Sequence, residues 1–455
     1  MPHDALDCLR AAIQDIPHTQ DIGRVSAVEG NILRATGLNT VARVGDRVHL
    51  SRPDMPNLLG EIVQIHAEDI SILPEFSPMG ISIGAPIVLD GPGEIAPSEG
   101  WIGRIIDPDG NPLDGKPLLR GKNLRRPQGS PPPAVERRKL GARIRTGLAV
   151  FNTLLPIVRG QRIGLFSGSG VGKSSLLGQL ARTMDADVVV LALVGERGRE
   201  LQSFVTDVLG AEGMQKSVII AATSDQSPIL RRRCALSAMA VAEHFRDQGK
   251  HVLFLADSIT RFAEAHREVA SAAGEPPSLR GFPASTSHAI MSLCERAGPG
   301  ISGTGDITAI FSVLVAGSDM EEPIADIMRG VLDGHVVLDR DIAQRGRFPA
   351  IDLLPSVSRA LPAAATDQEN QVITQTRRYL GLYNRSETMI QAGLYVPGSD
   401  PELDLAVKAW PELDQFIGTA ETGKIDDSFK KLDLIFRRLG GNGGLSSTKP
   451  PNNLP

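Results

Sequence analysis

The amino-acid sequence predicts an α/β protein in three parts: a small N-terminal β-barrel, a central domain on a mostly parallel sheet, and a C-terminal helical domain. Three observations carry this. Short strand-like runs separated by Gly, Pro and Asp turns fill the stretch from Gly23 to about Leu89, the spacing of a small barrel. From Gly141 to about Gly346 strands and helices alternate, which argues for a parallel sheet covered by helices. After Pro355 the strands stop and helical periodicity takes over.

Composition sets outer limits. The chain has 455 residues, 41% hydrophobic and 22% charged, ordinary for a globular protein with a sizeable core. Its 48 Lys+Arg against 53 Asp+Glu leave a net charge of −5, which argues against a broad nucleic-acid-binding surface. Residues 1–100 hold one aromatic, Phe76, too few to build a base-stacking barrel, so no nucleic-acid partner is expected. Cys8, Cys234 and Cys294 fit no metal or disulfide spacing and read as small hydrophobes in a reducing compartment. Met1–Pro17 carries Asp4, Asp7 and Asp15 without an apolar leader core. The apolar run Val188–Val194 is far too short to span a bilayer, which takes about 20 residues.

The elements follow in order. Leu6, Leu9, Ile13 and Ile16 fall at helical spacing, so residues 1–22 are expected to form an amphipathic segment, packed on its own domain or docked on another protein. The barrel, residues 23–92, takes its strands from Arg24–Val28, Arg47–Leu50, Gly60–Ile65 and Pro86–Leu89. Gly91–Pro133, with Asp107-Pro-Asp-Gly110 and Pro131-Pro-Pro133, reads as a connector. The central domain, 93–355 with this connector, has strands at Arg162–Phe166, Val188–Val194, Ser217–Ala222, His251–Ala256, Ile307–Val315 and His335–Leu338. Its helices begin near Lys173 and cover Arg199–Leu209 and Ile229–Gln248. The helical domain, 356–440, uses Asp367–Leu394, Leu403–Ile417 and Asp426–Leu439, and the Gly-, Ser-, Asn- and Pro-rich residues 441–455 read as a disordered tail.

The strongest chemical signal is Ser167-Gly-Ser-Gly-Val-Gly-Lys-Ser174, a phosphate-loop pattern with Ser167 in place of its first Gly. It follows one predicted strand and opens a helix. Gly168, Ser169, Gly170, Val171 and Gly172 supply backbone N–H groups to cradle nucleotide phosphates, with Lys173, Ser174 and Ser175 at the positive end of the helix. Lys173 would reach the β and γ phosphates, and the Ser174 hydroxyl would bind Mg²⁺. Asp257 ends the apolar strand His251–Asp257, where the ligand crevice of a parallel sheet lies, and is the candidate for the Mg²⁺ water shell. Glu196 follows another apolar strand at the same sheet edge, placed to take a proton from attacking water. Glu200 is its competitor, four residues on and inside the predicted helix.

The glycine loop, Val194–Glu200, Leu255–Phe262 and Pro355–Arg359 together resemble the catalytic beta subunit of F-type ATP synthases. Gly160–Lys173 (GQRIGLFSGSGVGK), Gly195–Glu200 (GERGRE), Gly274–Pro277 (GEPP) and Glu295–Gly303 (ERAGPGISG) resemble more closely the flagellum-specific type III protein-export ATPases, over about Gly23 to Phe436. Ser278–Ser285 (SLRGFPAS) favours the flagellar over the virulence branch. The resemblance implies a RecA-like central domain that binds ATP and Mg²⁺, with Glu196 as general base. Arg197 and Arg261 would hold the catalytic carboxylate and phosphates, and Phe348 would stack on adenine. Arg359 would be an arginine finger entering the neighbouring subunit's site in a homo-hexamer. Implied partners are a regulatory protein at the N-terminal helix, a central stalk-like protein, export-gate membrane proteins and chaperone–substrate complexes. The implied location is cytoplasmic, peripheral to the inner membrane at the export apparatus. Two features depart from the synthase pattern: Ser167, and Gly398–Asp404 with Val407–Leu413 where the synthase has an acidic rotor-facing run.

Overall fold

The structure, a computed structural model, describes residues 19–53, 55–315 and 320–439. The expected amphipathic helix at Ala5–Ile16 and the expected tail at 441–455 lie outside the described residues. The described part opens with strands β1 (Ile22–Glu29), β2 (Ile32–Thr36), β3 (Asp46–Arg52), β4 (Met55–Ile65), β5 (Ile70–Pro74) and β6 (Pro86–Pro92). They close into a barrel in the order β1-β2-β5-β4-β3-β6, which leaves no sheet edge open. Leu33, Val48, Leu50, Leu58, Ile62, Ile70, Ile72 and Ile87 point inward and are fully buried. The sequence pattern misses β2 and β5. Each has five residues, and β5 is buried on both faces, which erases the alternation that marks a strand.

The central sheet takes β7 (Ile105–Ile106), β8 (Arg162–Ser167), β9 (Val188–Glu196), β10 (Ser217–Thr223), β11 (His251–Asp257), β12 (Gly298–Pro299), β13 (Asp306–Leu314), β14 (Gly334–Leu338) and β15 (Ile351–Ser358). Its order is β15-β14-β8-β13-β11-β9-β10-β7, with the short β12 pairing antiparallel to β13. All neighbours along the main path are parallel except β14 and β15. Burial on both faces explains why these strands read as continuous apolar runs. Helices Pro228–Asp247, Ile259–Ala272, Ser285–Arg296 and Pro323–Val331 cover one face in a single core. The other face packs on Lys173–Thr183 and on the helices Asp367–Gln391, Pro401–Ile417 and Ile425–Arg438, so the helical region shares a core with the phosphate loop. The last three helices are well delimited: Thr366 and Glu369 form a capping box at the first, and Asp400 caps the second just before Pro401.

Two expectations need correction. Strand character does not stop at Pro355, because β15 runs through it to Ser358. Pro355 is tolerated since β15 is an edge strand and its pairing with β14 is irregular between His335 and Val337. The expected helix Arg199–Leu209 is instead a short α-helix Gly198–Ser203, a π-turn Phe204–Leu209 and a second α-helix Gly210–Met214. Among the described residues, no helix is long and apolar enough to cross a membrane.

Candidate active site

The parallel strands β8, β9, β11 and β13 finish on the same side of the sheet, and the chemistry-bearing residues leave from those ends. In β8, Ser167 pairs with Leu314 of β13, and in β11, Asp257 pairs with Leu193 of β9, just before Glu196. Beyond Ser167 the chain turns through Gly170 and Gly172, at φ +79° and +86°, and enters the helix at Lys173. These left-handed values need glycine. Gly172 has a second reason to be small: a Cβ there would stand 3.2 Å from the Phe348 ring. Phe348 therefore lies against the phosphate loop, with 55% of its surface still open.

Asp257 is buried, and its Oδ1 receives Lys173 Nζ and the Ser312 hydroxyl, the latter at 2.7 Å. Ser174, Glu196, Glu200 and Asp257 line one cavity of about 210 Å³, walled by Leu193, Phe204 and Val208. Larger cavities, of about 610 and 420 Å³, lie at the C-terminal helices and under the barrel, away from these carboxylates. Burial pushes the Glu196 carboxyl up to about 7. Asp257 and Glu200 push the same way, and Lys173 opposes them. The Glu196 carbonyl is pinned by the Ser224 N–H at 2.9 Å. The side-chain stems of Arg261 and Arg231 flank Gly195, at φ +68°, immediately before it.

The remaining candidates lie further out. Arg197 is exposed and pairs with Glu200 at 3.5 Å, while Arg261 pairs with Glu264 at 3.0 Å. Arg359 is at the other end of the sheet. β15 runs antiparallel to β14, Ile351 pairing with Leu338 and Ser358 with Gly334, and Leu338 in turn pairs with Ser167. β15 therefore carries the chain from the phosphate-loop end of the sheet to the opposite end, the span of the five-residue β14, roughly 13 Å. There Arg359 is exposed, its N–H bonded to Asp333 O at 2.9 Å and its Nη2 to Arg329 O at 3.1 Å.

The donor set suits a nucleotide with a hard divalent ion. The glycine loop leaves open space at Gly170, where a side chain would meet nothing within 4 Å. Ser174 and Asp257 present oxygen atoms to one cavity, and no group of three or more His, Cys, Asp or Glu among the described residues forms a self-sufficient metal cage. Mg²⁺ characteristically takes one or two protein oxygens and fills its shell with phosphates and water. The sequence pattern does not mark Ser312 or Ser224. The signal available for Ser312 is a hydroxyl inside the apolar strand β13, flanked by Phe311 and Val313.

Residues 147–358 match the ATP synthase alpha/beta family, nucleotide-binding domain, and residues 365–433 match the T3SS EscN ATPase C-terminal domain. The chain is 42% identical over 439 residues to a "Flagellum-specific ATP synthase" of Caulobacter vibrioides, covering 94% of this chain and 99% of that one. A protein of the same name from Salmonella typhimurium is 40% identical over 448 residues, covering 95% and 97%. Among solved structures, the assembled ATPase EscN in complex with its central stalk EscO, from the enteropathogenic E. coli type III secretion system, superposes with a TM-score of 0.82 at 35% identity. That match covers 91% of this chain and 99% of that one.

Proposed function

The chain belongs to the ATP synthase alpha/beta family, in its flagellum-specific and type III secretion branch, and on that premise we propose that it hydrolyses MgATP in a six-membered ring to energise flagellar protein export. Its task is to deliver chaperone-bound, unfolded substrates to export-gate proteins at the inner membrane, working from the cytoplasmic side. A relative assembled with its central stalk supports both the ring and a stalk-like partner. A regulatory protein at the N-terminal segment completes the set.

The residues divide the work as follows. The loop 168–172 and Lys173 bind the phosphates, with Ser174 and Ser175 at the helix start, and Phe348 stacks on the base. Ser174 and Asp257 would hold Mg²⁺, which would supply charge neutralisation at the phosphates. Glu196 orients the attacking water and takes its proton, helped by a carboxyl that titrates near the working pH. Arg197 and Arg261 border this carboxylate. Arg359 stabilises the charge developing on the γ phosphate of the adjacent subunit, an effect worth ~10³–10⁵ in rate for trans arginines.

One observation carries this reading: Phe348 and Arg359 sit at opposite ends of β15, so Phe348 faces the chain's own phosphate loop and Arg359 faces away from it. The test is ATP hydrolysis by the purified protein against its own concentration, beside Glu196→Gln and Arg359→Ala. Specific activity is expected to climb with concentration, and both variants are expected to bind nucleotide without turnover. Flat activity with a normal Arg359→Ala would mean that each chain works alone.

A further inference from the structure

Asp257 Oδ1 is held by two donors with different prospects. Lys173 Nζ sits on it in the described structure, but Lys173 is also the side chain that must reach incoming phosphates. The Ser312 hydroxyl, 2.7 Å away on the same oxygen, has no second task. Ser312 is fully buried and does not line the cavity that Asp257, Glu196 and Ser174 share. Phe311 and Val313 point to the other face of β13, while Ser312 shares its face with the buried Ile310, and a hydroxyl so buried is unfavourable unless it is hydrogen-bonded.

The distance between Ser312 and Asp257 is fixed by backbone, not by the lysine. β11 and β13 run side by side, with Ala256 paired to Phe311. Beyond them, Leu314 N–H donates to Thr260 Oγ1 at 2.9 Å and Thr260 Oγ1 donates to Leu314 O at 3.3 Å. The strand carrying Ser312 is thus tied to the helix that starts just after Asp257.

We propose that Ser312 is a positioning residue that keeps the Asp257 carboxylate aimed at the Mg²⁺ site when Lys173 transfers to the nucleotide phosphates. This rests on the roles given above to Lys173 and Asp257. With Oδ1 engaged by Ser312, Oδ2 is left for the metal's water shell. In the nucleotide-free protein Lys173 covers for a missing hydroxyl, so the loss appears only when nucleotide and Mg²⁺ are both present.

The experiment compares Ser312→Ala and Ser312→Thr in the full chain, using a fluorescent ADP analogue titrated first in EDTA and then at rising Mg²⁺. For Ser312→Ala, affinity in EDTA is expected to stay within about twofold of wild type, while the Mg²⁺ concentration giving half of the metal-dependent tightening rises about tenfold, the scale of a lost hydrogen bond to a charged group. Ser312→Thr is expected to keep the wild-type Mg²⁺ response. Ser312→Cys, close to serine in volume with a weaker donor, should fall between and serves if the alanine variant unfolds. An unchanged Mg²⁺ response in Ser312→Ala or Ser312→Cys overturns the proposal, as does a loss equal with and without metal. Asp257→Asn separates the two readings. If it too responds normally to Mg²⁺, the assignment of Asp257 to the metal fails and the role of Ser312 falls with it.

Discussion

Glu196 shows how one residue's surroundings set its chemistry. Its carboxyl is pushed up to about 7 by burial first and by Asp257 second. If Glu196 is the general base proposed above, it must be deprotonated in the free enzyme, so kcat/KM for MgATP should rise through a limb near pH 7 and level off above it. Glu196→Gln should abolish turnover while leaving nucleotide binding intact. The same shift has a stability consequence of opposite sign. A carboxyl whose folded value is raised holds its proton in the native state after the unfolded chain has lost it, so stability is fully present below the ordinary glutamate value and falls as pH rises through 7. Glu196→Gln should therefore raise the melting temperature more at pH 8 than at pH 5; an equal shift at both would mean that the side chain is not strained by burial. Phe348 is a simpler case. If its ring stacks on the base, Phe348→Ala should raise KM for ATP by about tenfold or more, from ~1–3 kcal/mol of stacking, and Phe348→Tyr should retain affinity. The convergence of Lys173, Ser174, Glu196 and Asp257 is legible in sequence because the first two open a helix after a glycine loop of fixed spacing and the other two end apolar strands. Ser312 and Ser224 are not, because their significance lies in what faces them across the sheet, and neighbouring strands β11 and β13 are separated by two helices along the chain.

At the scale of an element, β15 matters most. It is an edge strand with Pro355 inside it, and that proline makes the sequence read as the end of the sheet. Edge position removes the objection, since only one side of the strand needs a full ladder. Continuation to Ser358 carries Arg359 to the end of β14 opposite Phe348. If Arg359 serves the next subunit, Arg359→Ala has a sound site without a finger, and Glu196→Gln has a finger beside a dead site. Each alone should be inactive. Mixed before assembly in equal amounts, they should regain about a quarter of wild-type activity, since that share of subunit junctions pairs a sound site with a sound finger in a head-to-tail ring. Hydrolysis assayed across mixing ratios should peak near equal amounts. A mixture as inactive as its components would place the finger's action within one chain.

At the scale of the whole molecule, the barrel is locked to the central domain by a buried cluster of charges. Arg233, on the helix Pro228–Asp247, reaches Asp109 at 2.8 Å, Glu61 at 3.0 Å and Glu75 at 3.4 Å, all of them buried or nearly so. Arg47 of β3 adds a 2.8 Å contact to Asp109, and Arg232 pairs with Glu61. Around this lie Val63, Leu73, Ile229 and Val269, with Gln64 Nε2 bonded to Ala273 O at 2.6 Å. The sequence reveals the barrel, the connector and the central domain as separate stretches, yet this joint is invisible in it, because lone arginines and glutamates read as solvated surface until the fold gathers them. Charges in so dry a place are stable only together. Replacing Arg233 by Met leaves three carboxylates facing one another with too few cations, and breaking such a cluster costs about 3–5 kcal/mol. The pH dependence follows from Glu75, whose carboxyl is already raised by burial and by Asp109, with Arg233 among the groups holding it down. Removing Arg233 raises it further, so acid relieves the variant by protonating Glu75. A raised carboxyl contributes stability below its unfolded value and loses it as pH climbs through its folded value. Urea unfolding of Arg233→Met should therefore show a larger deficit at pH 8 than at pH 5. A deficit that grows toward acid would mean that the cluster's carboxylates are not the groups left uncompensated, and that the barrel is held mainly by its apolar contacts.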